Sequence, residues 1–276
     1  MCRLLNVSRS GFYAWSKRLQ SARSIRNARL LEEMRHIYAE GRGEYGSPTI
    51  SRVLREKGHR INHKRVARLM RINGLRSKIV EHYKHTTIRC KQRDASPNLL
   101  QQHFEADGPN RVWISDITYI RTAEGWLYLT TVEDVWSRKV IGHAITDRLQ
   151  ATAVMQALRM ALSRRLIAEG LIFHSDRGRQ YADHRVREIL GTYQMLQSMS
   201  STGNCYDNAM AESLFATLKK GHVFWERFES REQARRRLFE YLEVFYNRVR
   251  RHSSLGYKSP VAFEQQHTIV AKLPVH

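Results

Sequence analysis

Cysteine is scarce in this sequence: three in 276 residues, Cys2, Cys90 and Cys205, far apart and in no C-x-x-C pair. That excludes a disulfide framework and a cysteine-based zinc site, and it fits a reducing compartment. Long apolar runs are missing too. None approaches the roughly 18 residues of a membrane span, and the opening MCRLLNVSRSG is broken by arginine too early for a signal peptide's apolar region. The expectation is a soluble cytoplasmic protein with no membrane partner. There is no P-loop and no Rossmann fingerprint, which needs its glycines directly after a strand, so ATP and NAD have no support. No G-x-S-x-G elbow surrounds Ser115 or Ser175, which leaves both without the setting of a nucleophile. Acidic residues are also short: 26 Asp and Glu stand against 47 Lys and Arg, a formal charge of +21.

The excess is uneven. Residues 1–100 hold 23 basic and 7 acidic groups, and the remainder 24 and 19. A charge this large and this localised points to a polyanion, because each cation placed on a phosphate releases condensed counterions. Nucleic acid is the leading partner.

Apolar spacing near 3.6 residues predicts a helix over Ser24–Glu40, stopped by GRG. YGSPTISRVLREKG follows, with Ser47 as N-cap and Pro48 at the first helical position; then HRINHKRVARLMRINGL, with Asn62 as cap and Val66, Leu69 and Met70 as the buried stripe. Two short helices joined tightly suggest a helix-turn-helix. The second leaves His63, Lys64, Arg65, Arg68 and Arg71 outside its stripe, where they suit phosphate or groove contact. Residues 1–76 therefore read as a helical DNA-binding region and 77–110 as a basic linker. From Arg111 three strands follow in quick succession, RVWISDITYI, GWLYLTTVEDVW and KVIGHAIT, then helix, strand, helix, strand and helix. The order βββαβαβα predicts an α/β domain over 111–221 with a mixed five-stranded sheet flanked by helices. Residues 222–276 read as a helical extension, with a packing helix over Ser230–Asn247 and then a polar loop.

Three acids stand out. Asp116 interrupts a strand of β-formers, a costly place for a carboxylate unless it faces a polar or metal-filled cleft. Asp176 ends the short strand LIFHSD. Glu212 lies on the helix in GNCYDNAMAESLFATLKKG, roughly 130° around from the apolar stripe of Met210, Leu214 and Leu218; Asp207 is the expected cap. Taken alone, Glu212 is an ordinary surface glutamate. Taken together, three carboxylates repel unless cations join them, and oxygen clusters suit Mg²⁺ or Mn²⁺. Two such ions would serve phosphodiester displacement, the work of a nuclease or strand transferase. His174 and Asp134 are candidates to support the acids from behind, with a satisfied strand histidine and a turn-forming Asp as the alternatives.

At these residues the sequence resembles the transposases of the insertion sequence 3 family, specifically the product of the second reading frame. The matching stretches are CRLLNVSRSGFYAW, YGSPTI, KRVARLM, VWISDITYI, GWLYLTTVEDVWSRKVIG, LIFHSDRGRQY, GNCYDNAMAESLFATLK and RHSSLGYKSPVAFE, in family order over nearly the whole chain. The resemblance implies an RNase H-like, retroviral-integrase-like core with Asp116, Asp176 and Glu212 as catalytic, metal-holding residues. The 35 residues from 177 to 211 match the family's spacing between its second and third acids. It implies Mg²⁺-dependent cleavage at the inverted-repeat ends of a bacterial element, strand transfer into target DNA, and Lys219 as a DNA contact near the reactive phosphate. It further implies double-stranded DNA as partner, an upstream reading-frame product joined by frameshift, a homo-oligomer on DNA and residence at the nucleoid. Two other readings stay open: a non-catalytic DNA-binding regulator derived from a transposase, and an RNase H-type nuclease without strand transfer. Where many relatives carry an acid soon after the helix's lysine, this chain reads LKKGHV.

Overall fold

The computed structural model describes residues 2, 4, 6–80, 96–101, 103–167, 169–201 and 208–272. The chain divides into two compact units, Met1–Arg76 and Ser77–His276. Residues 81–95 of the expected linker, and Asp207, lie outside the described residues.

The first unit is helical: α1 Arg9–Ser16, α2 Ala22–Glu40, α3 Ser47–Glu56 and α4 His63–Ile72. Helix α2 starts two residues earlier than its apolar spacing indicated, because Ser21 caps it by accepting from the Ser24 amide. The cap of α3 is Gly46, not Ser47; Ser47 is already helical, and Pro48 still falls within the first turn, where its missing N–H costs nothing. Asn62 caps α4 as expected, its side chain accepting from the Lys64 amide at 2.9 Å. Met34, Ile37, Ile50, Leu54, Val66 and Met70 form the buried core of this unit.

The second unit is built on a five-stranded sheet: β1 Val112–Thr122, β2 Gly125–Asp134, β3 Val140–Thr146, β4 Ile172–Ser175 and β5 Leu196–Met199. Their spatial order is β3-β2-β1-β4-β5. Strands β1 to β3 are antiparallel, whereas β4 runs parallel to both β1 and β5. The strand period of two sends alternate residues to opposite faces. Trp113, Val132, Ile141 and Phe173 pack on one face with α5 (Ala151–Arg164) and α6 (His184–Thr192). Ile120, Leu127 and Leu129 pack on the other with α7 (Ala209–Gly221) and α8 (Arg231–Glu240). Each large apolar side chain fully buried this way contributes about 1.5–3 kcal/mol. Gly142 on β3 admits α5 closely: an added Cβ would sit 2.1 Å from the Ala157 carbonyl oxygen.

The expected helix over Ser230–Asn247 divides. It is α-helical to Glu240 and then widens to a π-helix over Tyr241–Tyr246. This turn buries Tyr241, Leu242, Phe245 and Tyr246, and it delivers Asn247 to β3, where the side chain accepts from the Val140 amide and donates to the Val140 carbonyl, each at 2.9 Å. The expected polar loop beyond contains a further helix, α9 (Pro260–Lys272). It docks because Glu264 pairs with Lys139 and Arg165, and Phe263 packs edge-on against Trp136 at 4.9 Å. Those partners lie far away in sequence, so no local pattern announced the helix.

Candidate active site

Strand β4 is short, and its length shapes the site. In the parallel register Ser115 lies opposite Ser175, so the next residues, Asp116 and Asp176, stand side by side where β4 stops and β1 continues. Asp116 accepts from the Ile117 amide at 2.7 Å, and Asp176 from the Gly178 amide at 2.9 Å. Gly178 permits the tight turn, since an added Cβ would lie 2.9 Å from Asp176 Oδ1. Both aspartates are half-buried. Burial first, then the neighbouring Asp176 and, less strongly, Glu212 together push the Asp116 carboxyl up to about 8, against the lowering pull of the Ile117 amide and Lys219. Burial also raises Asp176, against the Gly178 amide.

Glu212 occupies the exposed first turn of α7, where the helix dipole favours a carboxylate. The same helix buries Met210, Ala211, Leu214, Phe215 and Leu218 against the sheet. Its apolar stripe therefore fastens α7 beside β1 while Glu212 stays accessible. Lys219, in the last turn, is half-buried and held below the usual lysine range by desolvation, which Tyr119 and Asp116 oppose.

Behind the acids is a tyrosine that sequence reasoning missed. Tyr181 is fully buried, its hydroxyl 3.0 Å from Ser115 Oγ, and burial followed by the charges of Asp116 and Asp176 raises its phenol well above the ordinary value. The only hint was an aromatic residue five positions beyond Asp176. A second missed group is Glu133 on β2. It is fully buried, it pairs in register with Ile114, and among the described residues neither carboxylate oxygen has a hydrogen-bond partner. Burial pushes it to about 8, with Arg138 and Arg250 pulling back.

The two supporting candidates make contacts of their own. Asp134 accepts from the amides of Asn110, Trp136 and Ser137 and so builds the turn between β2 and β3. Asp116 pairs with Thr131 and Trp113 with Asp134; Asp134 is thus on the Trp113 face, opposite the acids. His174 is buried and ties β4 to β5 through Ser198 Oγ at 2.8 Å and Ser200 Oγ at 3.3 Å. The satisfied-histidine alternative describes these contacts. In the first unit Lys64, Arg65, Arg68 and Arg71 are all exposed on α4, with Arg65 also donating to Asn27 at 2.7 Å.

Among the described residues no three acids, histidines or cysteines stand close enough to hold a metal as a finished cluster. The donor set still fits a divalent cation. Its atoms are hard carboxylate oxygens, and the adjacent pair resists ionisation in a way that a bound cation would relieve. A mixed sheet of this order, with acids where β1 and β4 part and a third on the packed helix, defines the RNase H-like class of polynucleotidyl transferases.

Comparison with known proteins gives the family. The Integrase core domain family matches residues 106–205 and again 193–260, and the HTH-like domain family matches residues 25–83. The chain is 42% identical over 268 residues to Transposase InsF for insertion sequence IS3A of Escherichia coli (strain K12), covering 96% of this chain and 93% of that protein. It is 40% identical over 267 residues to the insertion element IS600 uncharacterized 31 kDa protein of Shigella sonnei, with coverage of 97% and 98%. A solved structure, the HTLV-2 integrase catalytic core domain in complex with magnesium, matches at 14% identity and TM-score 0.45 over 58% of this chain and 99% of that one. The chain belongs to the insertion sequence 3 family of transposases. No helix among the described residues is long and apolar enough to cross a membrane.

Proposed function

We propose that Asp116, Asp176 and Glu212 form one catalytic site that cleaves the ends of an insertion sequence and joins them to target DNA. The observation that carries this reading is the side-by-side placement of Asp116 and Asp176, with the charge of Glu212 felt at Asp116. The three acids would hold Mg²⁺ or Mn²⁺, two ions per site; these supply activation of the attacking oxygen and stabilisation of the leaving one. The chain's own residues do the rest. Strands β1 and β4 fix the first two carboxylates rigidly, while α7 brings the third from the open side. Tyr181 and Ser115 fill the space behind Asp116 and keep bulk water from that side. Lys219 places a cation next to the acids, where it meets a DNA phosphate. The exposed cations of α4, Lys64, Arg65, Arg68 and Arg71, grip the duplex.

Two DNAs must be held at once, the element's inverted-repeat end and the target. That favours a homo-oligomer on DNA acting with the upstream reading-frame product as a frameshift fusion, at the nucleoid. The region boundaries at 76, 110 and 221 belong to the same proposal.

The test is a labelled duplex ending in the inverted repeat, incubated with Mg²⁺ and the wild-type protein, Asp116→Asn, Glu212→Gln, or each fused to the upstream product. The expected result is metal-dependent nicking by wild type that both substitutions abolish. Nicking that survives Glu212→Gln removes Glu212 from the site. Binding without nicking in every form supports the regulator.

A further inference from the structure

Lysine is a poor choice for holding a charge at a fixed point, because its four-carbon stem samples many rotamers. Lys219 is nevertheless held. Its Nζ lies 4.7 Å from the centroid of the Tyr119 ring, within cation–π range. Tyr119 is in turn met edge-on by Trp126, with ring centroids 5.2 Å apart and planes at 89°. These two rings sit on the facing strands of the β1–β2 hairpin, where Tyr119 pairs with Tyr128 and Trp126 with Arg121. They are not core: Tyr119 is 43% and Trp126 46% exposed. Burial does not explain two large aromatics on the surface at this point.

Their position does. Strand β4 pairs with β1 only as far as Ser115, and the next contact on that edge is the bridge from Thr122 to Phe228. Between them, among the described residues, no strand is registered on this edge of β1, a stretch that begins at Asp116 itself. Lys219 comes from the end of α7 to this edge, interacting with both Tyr119 and Asp116. Tyr119 is three residues along the strand from Asp116, so strand parity sends it to the other face, yet at this edge its ring still lies under the Lys219 cation.

We infer that Tyr119, braced by Trp126, is a positioning residue that holds the Lys219 cation for the DNA phosphate beside the three acids. The inference rests on the reading of Lys219 as a DNA contact. Tyr119 acts through its ring face, so phenylalanine should replace it and an aliphatic residue should not. With the brace removed, Lys219 still carries its charge but loses its fixed place.

The test measures binding of the full chain to an inverted-repeat duplex from 50 to 200 mM salt. Losing one phosphate contact flattens the log–log salt slope by about 0.9, so the loss of affinity across that range shrinks about 3-fold. Lys219→Ala is expected to show this change, Tyr119→Leu to reproduce most of it, and Tyr119→Phe to match wild type. The double variant Tyr119→Leu/Lys219→Ala is expected to be no worse than Lys219→Ala alone. Circular dichroism melting confirms that each variant is folded; should Tyr119→Leu fail to fold, Trp126→Leu loosens the ring without removing it and carries the same expectation. A flattened slope in Lys219→Ala with a wild-type slope in the folded Tyr119→Leu or Trp126→Leu overturns the positioning role and leaves Lys219 as a DNA contact. A wild-type slope in Lys219→Ala overturns both. Tyr119→Phe behaving like Tyr119→Leu shows that the hydroxyl, not the ring face, is at work and also overturns the inference.

Discussion

The two units place their charges in opposite ways. Residues 1–76 carry 18 Lys and Arg against 5 acids, and the cations of α4 stand on an exposed helical face over an apolar core. In the second unit the informative charges are acids, set where β4 ends alongside β1 and burial works against their ionisation. A surface of like cations is stable in water and needs a polyanion only to become useful. A half-buried pair of carboxylates is unstable as a pair of anions and needs a cation to exist in that form. One unit is thus suited to grip DNA and the other to act on it, and substitutions should separate the two.

The largest effect is expected at the acids. Asp116→Asn, Asp176→Asn or Glu212→Gln should lower cleavage on the order of 10²–10³-fold or more, while gel-shift binding through the first unit stays within about 2-fold of wild type. A parallel loss of binding would erase the division of labour. Next comes the converse. Replacing Lys64, Arg68 and Arg71 together by Ala should flatten the log–log salt slope of binding by about 2 to 3. Arg65 is left in place because it also holds Asn27. The thermal midpoint should barely move, since these side chains are exposed.

A smaller effect separates a destabilising acid from a stabilising one. Glu133 has a folded pKa of about 8, above its ordinary 4.5, so the folded state holds its proton longer than the unfolded chain does. The residue therefore costs stability progressively as pH rises from about 4.5 to about 8. Glu133→Gln should be nearly neutral at pH 4.5 and stabilising by about 1–3 kcal/mol at pH 8.5, read from denaturant midpoints. Glu243 runs the other way. Its hydrogen bond from His143 at 3.1 Å, with help from Arg164, holds it at about 2. That stability is present above about pH 4.5 and is lost as pH falls towards 2. Glu243→Gln should cost about 1 kcal/mol at neutral pH, reduced by solvent screening, and nothing at pH 2.

These contrasts also show what a sequence can reveal. Helices α2 to α4 were legible because a 3.6-residue stripe and caps such as Asn62 are local facts. The meander of β1 to β3 was legible for the same reason. Glu212 was not: its own helix makes it an exposed glutamate, and only its relation to Asp116 and Asp176 singles it out. Asp134 was ambiguous because an Asp at a strand end suits a turn and a site equally well, and the strand parity that sends it to the opposite face is visible only once register is known. Tyr181, the π-turn over Tyr241–Tyr246 and α9 depend on partners far away in sequence, so no window of neighbouring residues contains their cause.

The central claim is that the three acids share one site, and metal binding tests it without requiring DNA or the upstream product. Calorimetric titration of the full chain with Mn²⁺ should show saturable binding in the wild type, little or none in Asp116→Asn, and at least about 10-fold weaker binding in Glu212→Gln, a loss of about 1.4 kcal/mol. Wild-type Mn²⁺ affinity in Glu212→Gln, with binding lost in Asp116→Asn, would contradict the claim, leaving a two-aspartate site with Glu212 outside it.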